Sequence, residues 1–414
     1  MAMSITGSSA DQHSEAPASL ALQMRVMLLC ALVAFCDGLD TQAIAFVAPV
    51  ISGQWGIAPA LLGPVFSSGL VGLALGAFLF GPLADRFGRK PVILLCVALF
   101  ALCSLGTTLA QNIGQLTLWR VVTGLGLGGV LPNLISLTND YASARLRHVL
   151  VMVMFCGFPL GATIGGLVTA PVVAWGGWQG VFYLGGGLPL VLLPVLWLGL
   201  PAARQKGKGE AVASAAVGQI FAEGRLVPTL LLWMAFFCNL LVMYFLVNWM
   251  PSLLSLVGSS LSLATLSAAI LNLGGIFGAL ALSYLIARFD PLRLLAMAYV
   301  SGAVGLMVMG MGGQNVPVLL AASAYVGAVV VGGQIAMNAV TASFYPASVK
   351  STGVGWALGV GRIGSIIGPL LGGALLKLGW QGMAVIKAAI MPMLLAALAV
   401  ALLRWRQSSK TASA

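Results

Sequence analysis

Asp37 and Asp40 sit in the stretch Phe35-Cys36-Asp37-Gly38-Leu39-Asp40, inside an apolar run that extends from about Met24 to Ile51. An ionisable side chain at membrane depth is expensive to keep, so a pair of them points to function, here the uptake and release of a proton. At positions i and i+3 of a helix the two side chains share one face and can look into one cavity. Two arginines lie in similarly apolar surroundings. Arg120 opens the run Arg120-Val-Val-Thr-Gly124-Leu-Gly126-Leu-Gly128-Gly129, roughly 9 Å from the end of its span, and Asp37 and Asp40 are the acids at a comparable depth. That contact either serves the proton step or simply ties two helices together, since intramembrane ion pairs can be static. Arg362 lies about 16 Å into its own span, with no acid in the C-terminal half placed to pair with it. A planar guanidinium suits a bidentate carboxylate, so Arg362 is expected to bind the carboxylate of an anionic substrate. Contact with helix-end carbonyls or water is the other reading.

The elements that position these groups are membrane helices. Hydrophobic residues make up 60% of the 414-residue chain and charged residues 7%, with a mean hydropathy of +1.04; a soluble domain is roughly one quarter charged. Apolar runs long enough to cross a bilayer of about 30 Å occur near 24–51, 59–80, 91–110, 114–138, 149–174 and 179–200. Six more follow near 226–256, 262–287, 291–311, 317–343, 352–376 and 383–403. The expected fold is an all-α membrane protein with twelve transmembrane helices in two six-helix bundles, residues 24–200 and 226–403, with tails at 1–23 and 404–414 and a linker at 201–225. The first apolar run is too long for a signal-peptide core and has no small-residue cleavage site, so it is expected to be a retained helix. All six cysteines fall inside apolar spans without metal-ligand spacing, and both histidines lie outside them. Neither a disulfide framework nor a metal site is expected.

Lys and Arg fall on alternate connections: Arg86, Arg89, Lys90, Arg145, Arg147, Arg204, Lys206, Lys208, Arg225, Arg288, Arg293, Lys350 and the C-terminal Arg404, Arg406 and Lys410. The opposite connections, such as 53–58 and 111–115, carry essentially none. By the positive-inside rule both termini are expected in the cytoplasm of a plasma membrane. The net charge of +11 therefore reflects topology and contact with anionic headgroups. It does not point to nucleic acid, for which there is no soluble basic domain.

The halves repeat. A shift of 202 puts Phe35, Cys36, Asp37 and Pro49 on Phe237, Cys238, Asn239 and Pro251, and Leu83, Arg86 and Phe87 on Leu285, Arg288 and Phe289; a shift of 204 puts Gly128-Gly129 on Gly332-Gly333. A shared offset across separated segments is a strong repeat signal. The asymmetries are then informative: Asp37 aligns with Asn239, Asp40 with Val242 and Arg120 with Ala324, so proton handling is expected in the N-terminal half.

The loop Gly81-Pro82-Leu83-Ala84-Asp85-Arg86-Phe87-Gly88-Arg89-Lys90 matches at every fixed position the G-x-L-x-D-R-x-G-R-K signature between the second and third helices of the major facilitator superfamily. The chain resembles that family over its whole length. The resemblance implies a conformational latch made of Gly81, Asp85, Arg86, Gly88 and Arg89, with Asp140 in the same set, that holds one state against the eleventh helix. The second-half copy, 283–292, has Ala287 in place of the aspartate. Within the superfamily, Asp37-Gly38-Leu39-Asp40 resembles the D-G-x-D box of the aromatic acid:proton symporters. Thr352-Gly353-Val354-Gly355-Trp356, Gly361-Arg362-Ile363-Gly364 and Gly368-Pro369 resemble their eleventh-helix motif. Leu131-Pro132-Asn133-Leu134 and Asn248-Trp249-Met250-Pro251 also look like the carriers of 3-(3-hydroxyphenyl)propionate and related hydroxylated aromatic acids.

The resemblance implies import of an aromatic carboxylate together with a proton, by a monomer in the bacterial inner membrane, without a cofactor. Tyr244 and Asn248, Gln334 and Asn338, each one helical turn apart, and Trp356 are expected to finish the substrate pocket by stacking a ring and reading a hydroxyl, ordinary helix packing being the alternative. Two other functions remain open. A proton-driven efflux antiporter would carry its glycine-proline signature on the fifth helix, where Gly157, Gly161, Gly165 and Gly166 meet it only in part. A non-transporting membrane receptor would have no need of the Asp37, Asp40 and Arg120 set. No nucleophile–base pair or phosphate-binding loop suggests an enzyme.

Overall fold

The computed structural model describes residues 19–143, 145–201, 218–222, 224–311, 315–346, 349–380 and 382–412. Among these residues all regular structure is helical. The helices of the first half are α1 (Leu20–Trp55), α2 (Leu62–Phe87, after a short 3-10 turn at Pro59–Leu61), α3 (Arg89–Thr107), α4 (Ile113–Tyr141), α5 (Arg147–Phe155) and α6 (Gly157–Gly199). After the short α7 (Gly218–Phe221) come α8 (Leu226–Leu256), α9 (Leu261–Ile286), α10 (Pro291–Met311), α11 (Val316–Phe344), α12 (Lys350–Lys377), α13 (Ala384–Lys387) and α14 (Ile390–Ala412).

Among the described residues, eleven runs are long and apolar enough to cross a membrane. One of them is two crossings. At 43 residues, α6 is about twice what a bilayer needs, and it breaks at Gly176 and Gly177, the latter at φ 65°, a left-handed conformation open to glycine. The chain folds back there: Gly161 packs on Phe35, whereas further along α6 Gly185 lies beside Asp40 and Gly199 beside Leu29. Twelve crossings result.

Some boundaries differ from expectation. The first helix begins at Leu20 and not at Met24, because the Ser19 side chain accepts from the Leu22 N–H and caps it. The last helix runs on to Ala412, past 403. The expected tail 1–23 and linker 201–225 lie largely outside the described residues.

The repeat is visible as repeated contacts. A Cβ on Gly161 would overlap the Phe35 carbonyl, and one on Gly364 the Phe237 carbonyl, so α6 packs on α1 as α12 packs on α8. Gly72 and Gly124 bring α2 and α4 together at Val121 and Gly69; Gly274 and Gly327 bring α9 and α11 together at Ala324 and Leu271. Each pair is related by 202 or 203 residues. Missing side chains are what let these backbones touch, the usual basis of close packing between membrane helices.

The helix ends that carry Arg86, Arg89, Lys90, Arg293 and Arg404 form one end of the bundle, here called the basic end. Arg404 Nε reaches Asp290 Oδ2 there at 2.9 Å, and Lys90 Nζ donates to the Leu200 carbonyl at 2.6 Å. At the far end the two halves meet. Gln42 and Asn272 exchange two amide hydrogen bonds of 2.9 Å each, Ser67 donates to the Ile366 carbonyl at 2.7 Å, and Gly63 packs on Pro369 and Gly373. Phe66 meets Trp249 edge-on at 5.2 Å.

Candidate functional site

Gly38 explains how the two acids are buried. A Cβ there would overlap the Phe158 carbonyl, so its absence lets α6 close over α1, and Asp37 and Asp40 are both fully buried. Arg120 is brought in by the glycine contacts of α4 on α2.

The two carboxylates are not equivalent. Asp40 is fully partnered: Oδ2 accepts from Arg120 Nη1 at 3.2 Å, Oδ1 from the Ser104 hydroxyl at 2.5 Å, and its backbone carbonyl from Arg120 Nη2 at 3.3 Å. Asp37 accepts a single bond, from Thr41 Oγ1 to Oδ1 at 2.9 Å. Among the described residues its Oδ2 has no partner, and neither has Arg120 Nε. Leaving a buried charged oxygen without a donor is costly, so the two neighbouring carboxylates differ sharply in how well the protein compensates them.

Between the halves, Thr41, Phe66, Leu70, Arg120, Tyr244 and Asn248 line a narrow space. Tyr244, Asn248 and Arg120 are thus brought together. Asn248 spends its amide N–H on the Tyr244 carbonyl at 2.7 Å. Arg362 on α12 is partly buried and close enough for its charge to act on Asp37. Among the described residues no ion pair or hydrogen bond uses its guanidinium.

Other expected pocket residues lie elsewhere. Gln334 and Asn338 bond to each other at 3.2 Å, and Gln334 accepts from Asn239 Nδ2 at 2.8 Å. They form an amide chain from α8 to α11 and do not line that space. Trp356 stacks on Trp233 at 5.8 Å and 19° and is 45% exposed. Six residues before Arg362, it stands about 9 Å nearer the basic end.

In the loop after α2, Arg89 pairs with Asp140 and also donates to the Ser136 carbonyl at 2.5 Å. Asp85 is exposed and near enough to act on Arg89 through its charge, Arg86 lies over the Phe87 ring at 5.2 Å, and Gly88 takes φ 90° where α2 turns into α3. A Cβ on Gly81 would meet nothing within 4 Å. In this conformation the contact of Arg89 is with α4 of its own half. Ser104, Thr41 and the Gln42–Asn272 pair were not anticipated. Thr41 had a signal in its i+4 spacing from Asp37; Ser104 had none.

Two pseudo-symmetric helical halves around a central site with buried charges define a solute carrier that works between two faces of a membrane. The profile of the Major Facilitator Superfamily matches residues 30–313 and 260–413, and the chain belongs to that family. It is 39% identical to the 4-hydroxybenzoate transporter PcaK of Pseudomonas aeruginosa, over 92% of each chain. It is 38% identical to the 3-(3-hydroxy-phenyl)propionate transporter of Escherichia coli, covering 93% of this chain and 95% of that one. With the gallate transporter of Pseudomonas putida it shares 37%, over 87% of each. Among solved structures, a D-xylose-proton symporter superposes with a TM-score of 0.75 at 16% identity, over 91% of this chain and 97% of that one, a likeness of fold.

Proposed function

We propose that this chain is a symporter that imports a hydroxylated aromatic carboxylate together with a proton by alternating access. The substrate class is supported by the relatives, whose named substrates all join an aromatic ring to a carboxylate. Proton coupling is carried by one observation: Asp37 is fully buried with one carboxylate oxygen unpartnered, while Asp40, three residues away, is saturated by Arg120 and Ser104.

In this reading Asp37 is the proton carrier, and Asp40 with Arg120 is the coupled ion pair that holds α1 to α4 and shapes the space between the halves. Ionised Asp37 balances the charge of Arg362. A proton on Asp37 leaves that charge uncompensated, and the substrate carboxylate compensates it in turn. Tyr244 and Asn248 hold the ring and its hydroxyl; Gln334, Asn338 and Trp356 act further out, toward the basic end. Only the doubly loaded or the empty carrier exchanges between faces, which ties the two flows together. The substrate undergoes no covalent change. One chain supplies both halves of the site, so a monomer suffices.

With the basic end in the cytoplasm of a bacterial inner membrane, as the positive-inside rule favours, the closed far end faces outward and the site opens inward. Gly81, Asp85, Arg86, Gly88, Arg89 and Asp140 then form the cytoplasmic latch. Arg89 rests on Asp140 in this inward-facing state and moves toward α12 in the other.

The test is uptake of 4-hydroxybenzoate, gallate, 3-(3-hydroxyphenyl)propionate and benzoate into proteoliposomes under an inward proton gradient. Accumulation of one of them, abolished by a protonophore and lost in Asp37→Asn and Arg362→Ala, is the expected result. No accumulation of any aromatic acid by folded protein refutes the substrate class; accumulation indifferent to the gradient refutes the coupling.

A further inference from the structure

Thr41 touches both the buried acid and the space between the halves. Its Oγ1 donates to Asp37 Oδ1 at 2.9 Å, and its side chain lines the cavity beside Arg120, Tyr244 and Asn248. That bond departs from the habit of this protein. Thr107, Thr123, Thr163 and Thr169 each donate to the carbonyl four residues back, at 2.7 to 2.9 Å, the usual way a membrane helix satisfies a hydroxyl. Thr41 donates to a side chain four residues back instead.

A hydroxyl has one proton to give and lone pairs that accept. While Asp37 is ionised the proton of Thr41 is spent on it, and the cavity is shown only lone pairs, which repel an anion. We propose that Thr41 is a positioning residue that redirects its hydroxyl proton from Asp37 to the bound aromatic anion when Asp37 takes up a proton. The inference rests on the proton-coupled reading above and names the residue that transmits the proton's arrival to the substrate. The step balances simply. One proton binds the Asp37 carboxylate, the neutral carboxyl donates its O–H to Thr41 Oγ1, and the Thr41 O–H, released, donates into the cavity; deprotonation reverses each bond. Because Asp37 Oδ2 has no partner, no other donor holds the carboxylate against this exchange.

The charged groups that act on Asp37 are Asp40 on its own helix and Arg362 on α12, with Arg120 of α4 bound to Asp40. Cys36 also lies within electrostatic reach. Within its membrane-buried stretch α6 carries no Asp, Glu, Lys, Arg or His, and α9 none before Arg288. α8 brings Cys238 and Tyr244. Arg362 responds to the same proton through its charge, so the contribution of Thr41 must be separated from it by substitution.

The experiment is equilibrium binding of 4-hydroxybenzoate to the purified full-length chain at an acidic and an alkaline pH, both above the pKa of the ligand's own carboxyl, for wild type, Thr41→Val and Thr41→Ser. Valine keeps the shape without the hydroxyl; serine keeps the hydroxyl. Wild type is expected to bind more tightly at acidic pH. Thr41→Val should lose about tenfold of that gain, the worth of one hydrogen bond to a charged group, and Thr41→Ser should retain it. A gain in Thr41→Val equal to that of wild type overturns the inference, and so does equal impairment of both variants, which would assign Thr41 to packing. A wild type whose affinity ignores pH refutes the proton-coupled reading, and this inference with it.

Discussion

The two halves of this protein share a backbone frame and differ in what they bury. Phe35 meets Gly161 as Phe237 meets Gly364, and Gly69 meets Gly124 as Leu271 meets Gly327. Within that frame the first half holds Asp37, Asp40 and Arg120, and the second holds Asn239, Val242 and Ser323 at the corresponding positions; Ala324, which the sequence shift set opposite Arg120, meets Gly274 as Val121 meets Gly72. The first half is ionic, with a saturated carboxylate beside an unsaturated one. At these positions the second is neutral, an amide chain that runs from Asn239 through Gln334 to Asn338, and its cation near the site, Arg362, comes from a different helix, α12. Helix geometry alone therefore does not assign the proton to either half. The assignment lies in side chains that a symmetric frame allows to diverge, and the glycines that keep the frame symmetric are the reason the divergence is legible.

The largest effect should come from making the first half resemble the second. For one coupled proton, each pH unit of gradient sustains about tenfold accumulation. Asp37→Asn places the side chain of Asn239 in the first half, and that factor is expected to fall to about one in gradient-driven uptake, while exchange of internal for external substrate persists. Asp40→Asn with full accumulation would confirm the division of labour between the acids; equal loss of accumulation and exchange in both variants would refute it. Next in size is Arg120→Ala, which leaves Asp40 buried with Ser104 alone. Breaking a buried pair in this way costs about 3–5 kcal/mol, to be read as a lowered melting temperature in detergent. Adding Asp40→Val, the residue of the second half at that position (Val242), removes the unpaired buried charge as well, and most of that loss should return.

The ionic half was legible in the sequence because charge inside an apolar run has few explanations. Arg120 and the two aspartates announce themselves by type, and the break between the fifth and sixth spans by Gly176-Gly177. The neutral half was less legible. Gln334 and Asn338 read as pocket residues because amides can read a hydroxyl, but their partner is Asn239, three helices away in sequence. Trp356 reads the same way for its aromatic face, yet its ring is taken by Trp233. Gln42 and Asn272 stand 230 residues apart, and no local pattern couples them. Ser104 looks like any hydroxyl that satisfies itself on its own helix until the packing of α3 on α4 and α6 brings it to Asp40. The contact of Arg89 with Asp140 is the same kind of fact, a choice between two conformations that one sequence must permit.

A smaller effect sharpens the comparison from the neutral side. Asn239→Leu removes the donor to the Val330 carbonyl at 3.2 Å and to Gln334. The Val330 carbonyl keeps its bond within α11, but leaving Gln334 Oε1 unpartnered should cost about 1–3 kcal/mol of stability, visible as a lower melting temperature. The number of protons carried per substrate, measured as pH change against uptake, should not move. A changed ratio would place part of the proton pathway in the second half and end the division argued above.

The smallest effect on stability belongs to Gly355 of α12, and it tests whether the frame is symmetric in motion as well as at rest. A Cβ on Gly364, in the same helix, would overlap the Phe237 carbonyl, whereas one on Gly355 would meet nothing within 4 Å. Gly364→Ala should therefore fail to pack, with a cost of about 1–3 kcal/mol, while Gly355→Ala should stabilise by about 0.5–1 kcal/mol through the entropy that glycine loses in a helix. Gly359, four residues on and on the same face, is equally open. A bare face with nothing against it has no packing reason to be bare in this conformation, but it has one if a helix of the other half closes on it when the basic end shuts. Gly355→Ala should then raise the melting temperature slightly and slow transport severalfold in the same protein. A variant that gains stability and transports at the wild-type rate would show that the face stays open throughout the cycle, and that closure of the basic end uses a different contact.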